Sequence, residues 1–274
     1  MNENRADQPG IEVASVVFAA GKGSRMTGYE GNKTLLPLIP GPDFYSGSHP
    51  MLLEVLRNLP GGPKGIVVNH CADDVRRATE HLHPQYCHQP ETNGTGGAFL
   101  AALPFLESLA TDAVIITMGD VPLIRPATYR ALLAGLDRHA LMVLGFKPAD
   151  KAQYGLLEMD DNRVVSIVEW KYWKEYPPER QESLRFCNAG VYAGRRKLLI
   201  EQARQLARSP HVVRKQRNGE WVEIKEYFLT DLVELINKAG ETTGLAEARE
   251  DEVSGVDNPE SLERARERYA LLKS

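Results

Sequence analysis

An apolar run over residues 13–20 opens into FAAGKGSRM, and Lys33 follows further along the same stretch. A glycine-rich turn at the carboxyl end of a first strand suits a nucleotide, because glycine allows close backbone approach and the N–H groups can face phosphate. Arg25 offers a planar fork and Lys33 a point charge, a pair able to clamp a triphosphate; the same cations on a solvated loop would bind nothing. The dinucleotide fingerprint G-x-G-x-x-G fails because Met26 stands at its third glycine, and the P-loop string G-x-x-x-x-G-K-[ST] does not occur. A second segment, Met118-Gly119-Asp120-Val121-Pro122, sets a carboxylate after another apolar run. Asp120 there can bind Mg2+ beside phosphates or merely cap the turn ahead of Pro122. Glu169 and Asp257 also follow strand-like runs, and Asn188 lies inside FCNAGVYAG. Four polar residues at strand ends form a constellation rather than scatter.

Such residues meet only if the fold gathers strand ends. Strand-like runs at 13–20, 65–69, 112–118 and 141–146 alternate with helix-period segments at 51–59, 72–82, 96–109 and 126–138. This alternation predicts βαβ units, and the nearly all-apolar strands predict helices on both faces of a parallel sheet: a three-layer α/β architecture. The second half predicts antiparallel additions, a hairpin around Asp160-Asp161-Asn162 and another around Asn218-Gly219. Asp257-Asn258-Pro259-Glu260 predicts the start of a final helix, reaching about residue 272, with Asp257 itself a candidate cap. Residues 41–50 (GPDFYSGSHP) read as a surface loop. No repeat or linker separates independent units, so the chain reads as one domain over 1–274.

The 274 residues carry 33 basic and 37 acidic side chains, a net charge of −4, with 42% hydrophobic residues. A chain of this length can bury roughly 70–75% of the surface its unfolded form exposes, so it needs neither disulfide nor structural metal. The balanced charge gives no nucleic-acid footprint, and no run approaches the ~18 apolar residues of a membrane span. Cys71, Cys87 and Cys187 are an odd, irregular set, which with a polar amino terminus points to a cytoplasmic protein. His70, Cys71, His81, His83, Cys87 and His88 lie close in sequence but match no common zinc spacing. Trp170, Tyr172 and Trp173 suit either a sugar or core packing, and Arg195-Arg196-Lys197 reads as a solvated helix face.

Taken together, these residues resemble the sugar-nucleotide pyrophosphorylases, in particular the uridyltransferase domain of the bifunctional N-acetylglucosamine-1-phosphate uridyltransferases. That family opens with L-A-A-G-x-G-T-R-M and a later Lys; this chain has Phe18-Ala19-Ala20-Gly21-Lys22-Gly23-Ser24-Arg25-Met26 and Lys33. The family's Q-x-x-x-x-G-T-G matches Gln89 and Gly94-Thr95-Gly96, and its G-D-x-P-L matches Gly119 to Leu123. Tyr154-Gly155, Ile167-Val168-Glu169-Trp170-Lys171, Asn188-Ala189-Gly190 and the run Glu226 to Asp231 are similar to its amino-sugar pocket, and Gly255-Val256-Asp257-Asn258 to its closing motif. Two departures stand out: Asn32 precedes Lys33 where the family has Pro, and Asp257 stands where the uridyltransferase has Asn.

The resemblance implies a nucleotidyltransferase fold of the GT-A/Rossmann-like kind, with a nucleotide-binding half over about 11–150, a sugar-binding half over about 151–258, and a helix over 259–273. It implies that Arg25, Lys33 and Asp120 are catalytic; that Phe18, Ala19, Ala20, Gly21, Gly23, Gln89, Gly94, Thr95 and Gly119 bind the nucleotide; that Gly155, Glu169, Lys171, Asn188 and Thr230 bind the sugar; and that Asp120 and Asp257 hold Mg2+. The expected reaction is Mg2+-dependent transfer from UTP to a sugar-1-phosphate, N-acetylglucosamine-1-phosphate leading, with neither nucleic acid nor membrane as partner. The family's acetyltransferase β-helix would begin where this chain ends, so only the uridylyl-transfer half is expected. Two alternatives stay open: cytidylyl or guanylyl transfer to another phosphorylated acceptor, and a catalytically silent nucleotide-sensing subunit.

Overall fold

The computed structural model describes residues 11–217 and 220–273, the side chains of 215–217 and 220 excepted. Among the described residues the strands in chain order are β1 (Val13–Ala19), β2 (Pro37–Pro40), β3 (Gly47–Pro50), β4 (Lys64–Val68), β5 (Gln85–His88), β6 (Ala113–Met118), β7 (Leu141–Phe146), β8 (Leu156–Asp160), β9 (Arg163–Val168), β10 (Phe186–Arg195), β11 (His211–Arg217), β12 (Glu220–Glu226) and β13 (Thr243–Ala248). Nine of them form one sheet in the order β5-β4-β1-β6-β10-β7-β13-β9-β8. Its left part is parallel, β4 and β6 flanking β1 in the same sense, and β13 runs parallel to β7. Strand β10 lies antiparallel between β6 and β7, and β8 and β9 form the expected hairpin, with Asp161 turning at φ 51°.

The two faces of β1 explain why its sequence is apolar but for the buried Ser15. Val13, Val17 and Ala19 pack with Leu52 and Val55 of helix Met51–Asn58 and with Tyr129 and Leu132 of helix Pro126–Gly135. Ala14, Val16 and Phe18 pack the other way, against Ala98 and Phe99, Leu199 and Ala203, and Leu232 and Ile236. Each fully buried aliphatic side chain of this kind contributes about 1.5–3 kcal/mol, so helices on both faces stabilise a sheet that alternation could not. These are the three expected layers. A third cluster joins Met26, Leu36, Leu38, Leu123 and Val256 to Leu262, Ala265 and Tyr269 of the final helix, Pro259–Lys273. Met26, the residue that breaks the dinucleotide fingerprint, is thus a core side chain at 3% exposure.

Several expectations need correction. Residues 41–50 are not simply a loop: β3 pairs antiparallel with β2, and Gly41 and Ser46 close the turn through a backbone bond of 2.9 Å. No apolar alternation marks β3, which is why it escaped the sequence pattern. The expected helix over 96–109 is two helices, Thr95–Ala101 and Leu103–Glu107, because Pro104 has no N–H for a continuous ladder. Arg196 is not on a solvated face; its guanidinium donates to Thr111 O at 2.7 Å and Leu106 O at 3.0 Å. Strands β11 and β12 pair from His211 to Arg217, while the expected turn at Asn218-Gly219 lies outside the described residues.

Candidate active site

Because β1, β4, β5, β6, β7 and β13 share one direction, their carboxyl ends open on one edge, and the reversed β10 brings Asn188 there opposite Gly145 near the end of β7. The loops after β1, β5 and β6 meet around a pocket of about 290 Å3 lined by Phe18, Ala20, Gly21, Gly23, Lys33, Gln89, Gly94, Thr95 and Asp120. Seven of these were expected to bind the nucleotide, and Lys33 and Asp120 to be catalytic, Asp120 on the metal as well. Thr34, Thr92, Ala98 and Met118 complete the wall and carried no sequence signal of their own. Ala19 and Gly119 sit behind it: Ala19 O is held by Asn32, and Gly119 N donates to Phe18 O at 2.9 Å.

Lys33 begins a 3-10 turn, Lys33–Leu35, capped by Asn32. Asn32 is fully buried, its Nδ2 donating to Ala19 O at 2.7 Å and His70 O at 2.8 Å, its Oδ1 accepting from Thr34 N at 3.0 Å and Thr34 Oγ1 at 2.8 Å. One amide therefore joins the ends of β1 and β4 to the turn that carries Lys33. The Asn-x-Thr spacing is a local capping pattern that could have revealed this. Gly23, at φ 62°, lies under the turn, where a Cβ would stand 2.8 Å from Lys33 Cβ.

The Lys33 ammonium meets Asp120 Oδ2 at 2.5 Å and Asp257 Oδ1 at 2.6 Å, and exposed Arg25 reaches Asp257 Oδ2 at 3.5 Å. Burial pushes the Lys33 pKa down, but the two carboxylates outweigh it and hold the group above its ordinary value. Burial likewise raises Asp257, and Lys33 with Arg25 brings it below the usual carboxylate range. Asp257 does not cap the final helix. Asn258 Oδ1 accepts from Ser261 N, and Ser261 Oγ accepts from Asp257 N, which leaves the Asp257 carboxylate to the cations. Val256 N donates to Asp120 O at 3.0 Å and ties the two acids' segments together. Two carboxylates converging on one cationic centre beside an open pocket fit Mg2+, which binds proteins through one or two carboxylates and takes phosphate and water for the rest. No group of three or more His, Cys, Asp or Glu side chains suited to a metal occurs among the described residues, the histidine and cysteine run included.

The residues expected at the sugar form a second group. Glu169 Oε1 accepts from Thr230 Oγ1 at 2.9 Å, and a Cβ on Gly155 would stand 3.7 Å from Glu169 Oε2. Asn188 N donates to Gly155 O at 2.8 Å; its Nδ2 donates to Tyr192 OH and its Oδ1 accepts from Gly190 N. Lys171 stands apart from the Lys33 cluster, its ammonium over the rings of Tyr172 and Phe228 at 4.7 and 4.8 Å. Of the aromatic group, Trp173 is core, its Nε1 donating to Tyr154 O, while Tyr172 is half exposed. Tyr154 links both groups: burial first and then the Asp257 charge raise its phenol pKa. The segment 227–230 also spans them. Gly96 N donates to Tyr227 O at 2.8 Å, Leu229 N donates to Thr95 Oγ1 at 3.2 Å, and Thr230 reaches Glu169. Gly94, at φ 98°, permits this approach, since a Cβ there would collide with Tyr227 O.

Residues 15–247 match the family described as the MobA-like NTP transferase domain. The bifunctional protein GlmU of Jannaschia sp. (strain CCS1) is 30% identical over 262 residues, 94% of this chain and 52% of the relative. The chain spans about half the length of the curated relatives it matches. Among solved structures, the uridine diphosphate N-acetylglucosamine pyrophosphorylase of Trypanosoma brucei superposes with a TM-score of 0.69 at 14% identity, over 93% of this chain and 64% of that one. A CMP:2-keto-3-deoxy-manno-octonic acid synthetase complexed with CTP gives 0.62 at 18% identity, over 95% and 99%. At these identities the two structures speak for the fold. No helix among the described residues is long and apolar enough to cross a membrane.

Proposed function

The chain belongs to the family of MobA-like NTP transferase domains, and from that premise we propose that it transfers a uridylyl group from UTP to a sugar-1-phosphate, with N-acetylglucosamine-1-phosphate the leading acceptor and Mg2+ the required cation. The observation that carries this reading is the meeting of Lys33 and Asp120, which line the glycine-loop pocket, with Asp257, which Arg25 also reaches.

In the reaction, an oxygen of the sugar-1-phosphate attacks the α-phosphorus; a new P–O bond forms, the bond to the β-phosphate bridge breaks, and pyrophosphate leaves with the electron pair. The attacking oxygen is already anionic, so no protein nucleophile or base is needed, and catalysis comes from positioning and charge neutralisation. Arg25 and Lys33 neutralise the triphosphate and the leaving pyrophosphate. Asp120 and Asp257 would hold Mg2+, which when bound lowers the charge barrier between two phosphates. Phe18, Ala19, Ala20, Gly21, Gly23 and Gly119 shape the phosphate and ribose side, and Gln89 with Gly94 and Thr95 faces uracil. Gly155, Glu169, Asn188 and Thr230 bind the sugar, with Lys171 on its phosphate side. Residues of about 11–150 thus form the nucleotide half and 151–258 the acceptor half of one domain. Three unpaired cysteines among the described residues favour the cytoplasm.

A pyrophosphate-release screen of the four nucleoside triphosphates against a panel of sugar-1-phosphates, with Mg2+, tests the proposal. UTP with N-acetylglucosamine-1-phosphate is expected to give the highest kcat/KM. A higher rate with CTP or GTP moves the assignment to cytidylyl or guanylyl transfer, and silence from folded protein across the panel supports a sensing subunit instead.

A further inference from the structure

At the inner end of the pocket the protein itself sets the orientation of an amide. Gln89 is 4% exposed; its N donates to Val68 O at 3.0 Å and its O accepts from Asn69 Nδ2 at 2.7 Å. Its side-chain Nε2 donates to Asn93 Oδ1 at 3.1 Å and to Gly94 O at 3.3 Å. Both amide hydrogens are thereby used, and Oε1, on a residue that lines the pocket, has no donor among the described residues. The Asn93 backbone is itself held, and its side chain lies close against Gly97. Asn93 N donates to Glu91 O and its O accepts from Tyr227 N, both at 2.9 Å, and its Oδ1 lies where a Cβ on Gly97 would collide with it.

We propose that Asn93 is a positioning residue that sets the choice of base: by holding Gln89 Nε2 it turns Oε1 toward the nucleotide, so that the site accepts a hydrogen from a pyrimidine ring N–H. Uracil carries that hydrogen at N3, whereas cytosine carries a lone pair there, which an amide oxygen repels. The opposite amide orientation would offer NH2 and favour cytosine. Asn93 Oδ1, the nearer of the two acceptors on Nε2, opposes that rotation. This inference rests on the reading of the pocket as a uridine nucleotide site.

The test is calorimetric titration of UTP and of CTP, each with Mg2+, into the parent, Asn93→Leu and Asn93→Asp proteins; no acceptor is needed. The parent is expected to prefer UTP. Asn93→Leu, which removes the acceptor, is expected to narrow the UTP-to-CTP affinity ratio about tenfold, partly by binding CTP more tightly, and Asn93→Asp, which keeps an acceptor oxygen, to retain most of the preference. Asn93→Ala repeats the comparison should the Leu variant melt below the assay temperature. An unchanged ratio in these variants, or an equal weakening toward both nucleotides, reduces Asn93 to a packing role and overturns the proposal. A parent that binds CTP as well as UTP overturns the uridine reading and the role of Asn93 with it.

Discussion

The ammonium of Lys33 meets the carboxylate of Asp257 at 2.6 Å across 224 positions of sequence, with Asp120 on the same ammonium at 2.5 Å. Lys33 is only 12% exposed, so its charge is held by these two acids rather than by water. Lys33→Met should therefore leave two carboxylates without the cation between them, only exposed Arg25 remaining on Asp257. Breaking a fully buried pair costs about 3–5 kcal/mol; with Asp257 at 41% exposure, solvent reduces the expected loss to about 1–3 kcal/mol. Since Mg2+ suits the same two acids, it should raise the Tm of Lys33→Met more than that of the parent. Thermal melts with and without Mg2+ decide this, and an equal metal effect in both proteins would argue against Asp120 and Asp257 as the metal ligands.

The same cluster sets a pH dependence. The Asp257 pKa falls on folding from 3.8, so its contribution is fully present above that value and is lost as pH falls through the folded-state pKa. The Lys33 pKa rises on folding from 10.5, so its contribution is complete below that value and is lost as pH rises through the folded-state pKa. Asp257→Asn is accordingly expected to flatten the acid limb of a stability profile below about pH 4, measured by urea unfolding at a series of pH values. An acid limb as steep as the parent's would assign that steepness to other carboxylates.

Much of the phosphate side was legible because its signals are local. A strand that runs straight into Gly21 and Gly23, and Asp120 after β6, can each be read from a few neighbouring residues. Long-range partners could not be read in the same way. Nothing near Asp257 in sequence says that its carboxylate meets Lys33, 224 positions away, while its neighbour Asn258 takes the capping. Strand β10 was illegible as a central strand because Asn188 and Gly190, the latter at φ 72°, interrupt its apolar pattern with a register shift between Asn188 and Tyr192. That irregularity is also what sets the Asn188 amide against Tyr192 beside Gly155. Asn32, which departs from the family's Pro, makes sense only once the ends of β1 and β4 are seen to converge on it.

Gly21 and Gly23 should separate binding from folding. A Cβ on Gly21 meets nothing within 4 Å, whereas one on Gly23 meets Lys33 and the residue holds φ 62°. Gly21→Ala is expected to change stability by less than about 0.5 kcal/mol yet weaken UTP binding by intruding on the pocket. Gly23→Ala should cost about 1–3 kcal/mol of stability and lower kcat as well by displacing Lys33. Denaturant unfolding and nucleotide titration on both variants check this; a Gly21→Ala protein that binds UTP like the parent would move the triphosphate away from the loop.

Asn32 tests the anchoring of the catalytic turn. Asn32→Asp keeps an acceptor for Thr34 but replaces the donor that serves Ala19 O and His70 O with a second acidic oxygen. The buried carbonyls then face a like partial charge, for an expected loss of about 2–4 kcal/mol. Asn32→Ala, which loses the cap and the staple without adding charge, should cost about 1–3 kcal/mol. If unfolding midpoints place the Asp variant level with the parent, the two carbonyl contacts do not hold the turn.

The two acids should differ in what their loss does to the metal requirement. Mg2+ favours charged oxygen ligands, and phosphate and water can complete its shell. Asp257→Asn keeps an oxygen in place while removing one charge, and it weakens the contacts with Lys33 and Arg25 without emptying the position. That variant should need about tenfold more Mg2+ for half-maximal rate yet keep much of its activity at saturating metal. Asp257→Ala removes the oxygen as well and should lose far more. Asp120 is the more enclosed of the two, at 21% exposure against 41%, and no other acid follows it in the Gly-Asp-Val-Pro turn to take its place. Asp120→Ala should therefore be at least as damaging as Asp257→Ala, with saturating Mg2+ restoring little. Initial rates against Mg2+ concentration for the three variants beside the parent give the comparison. A parental Mg2+ dependence in both Asp257 variants would leave that residue as a counter-ion for Lys33 and Arg25 alone.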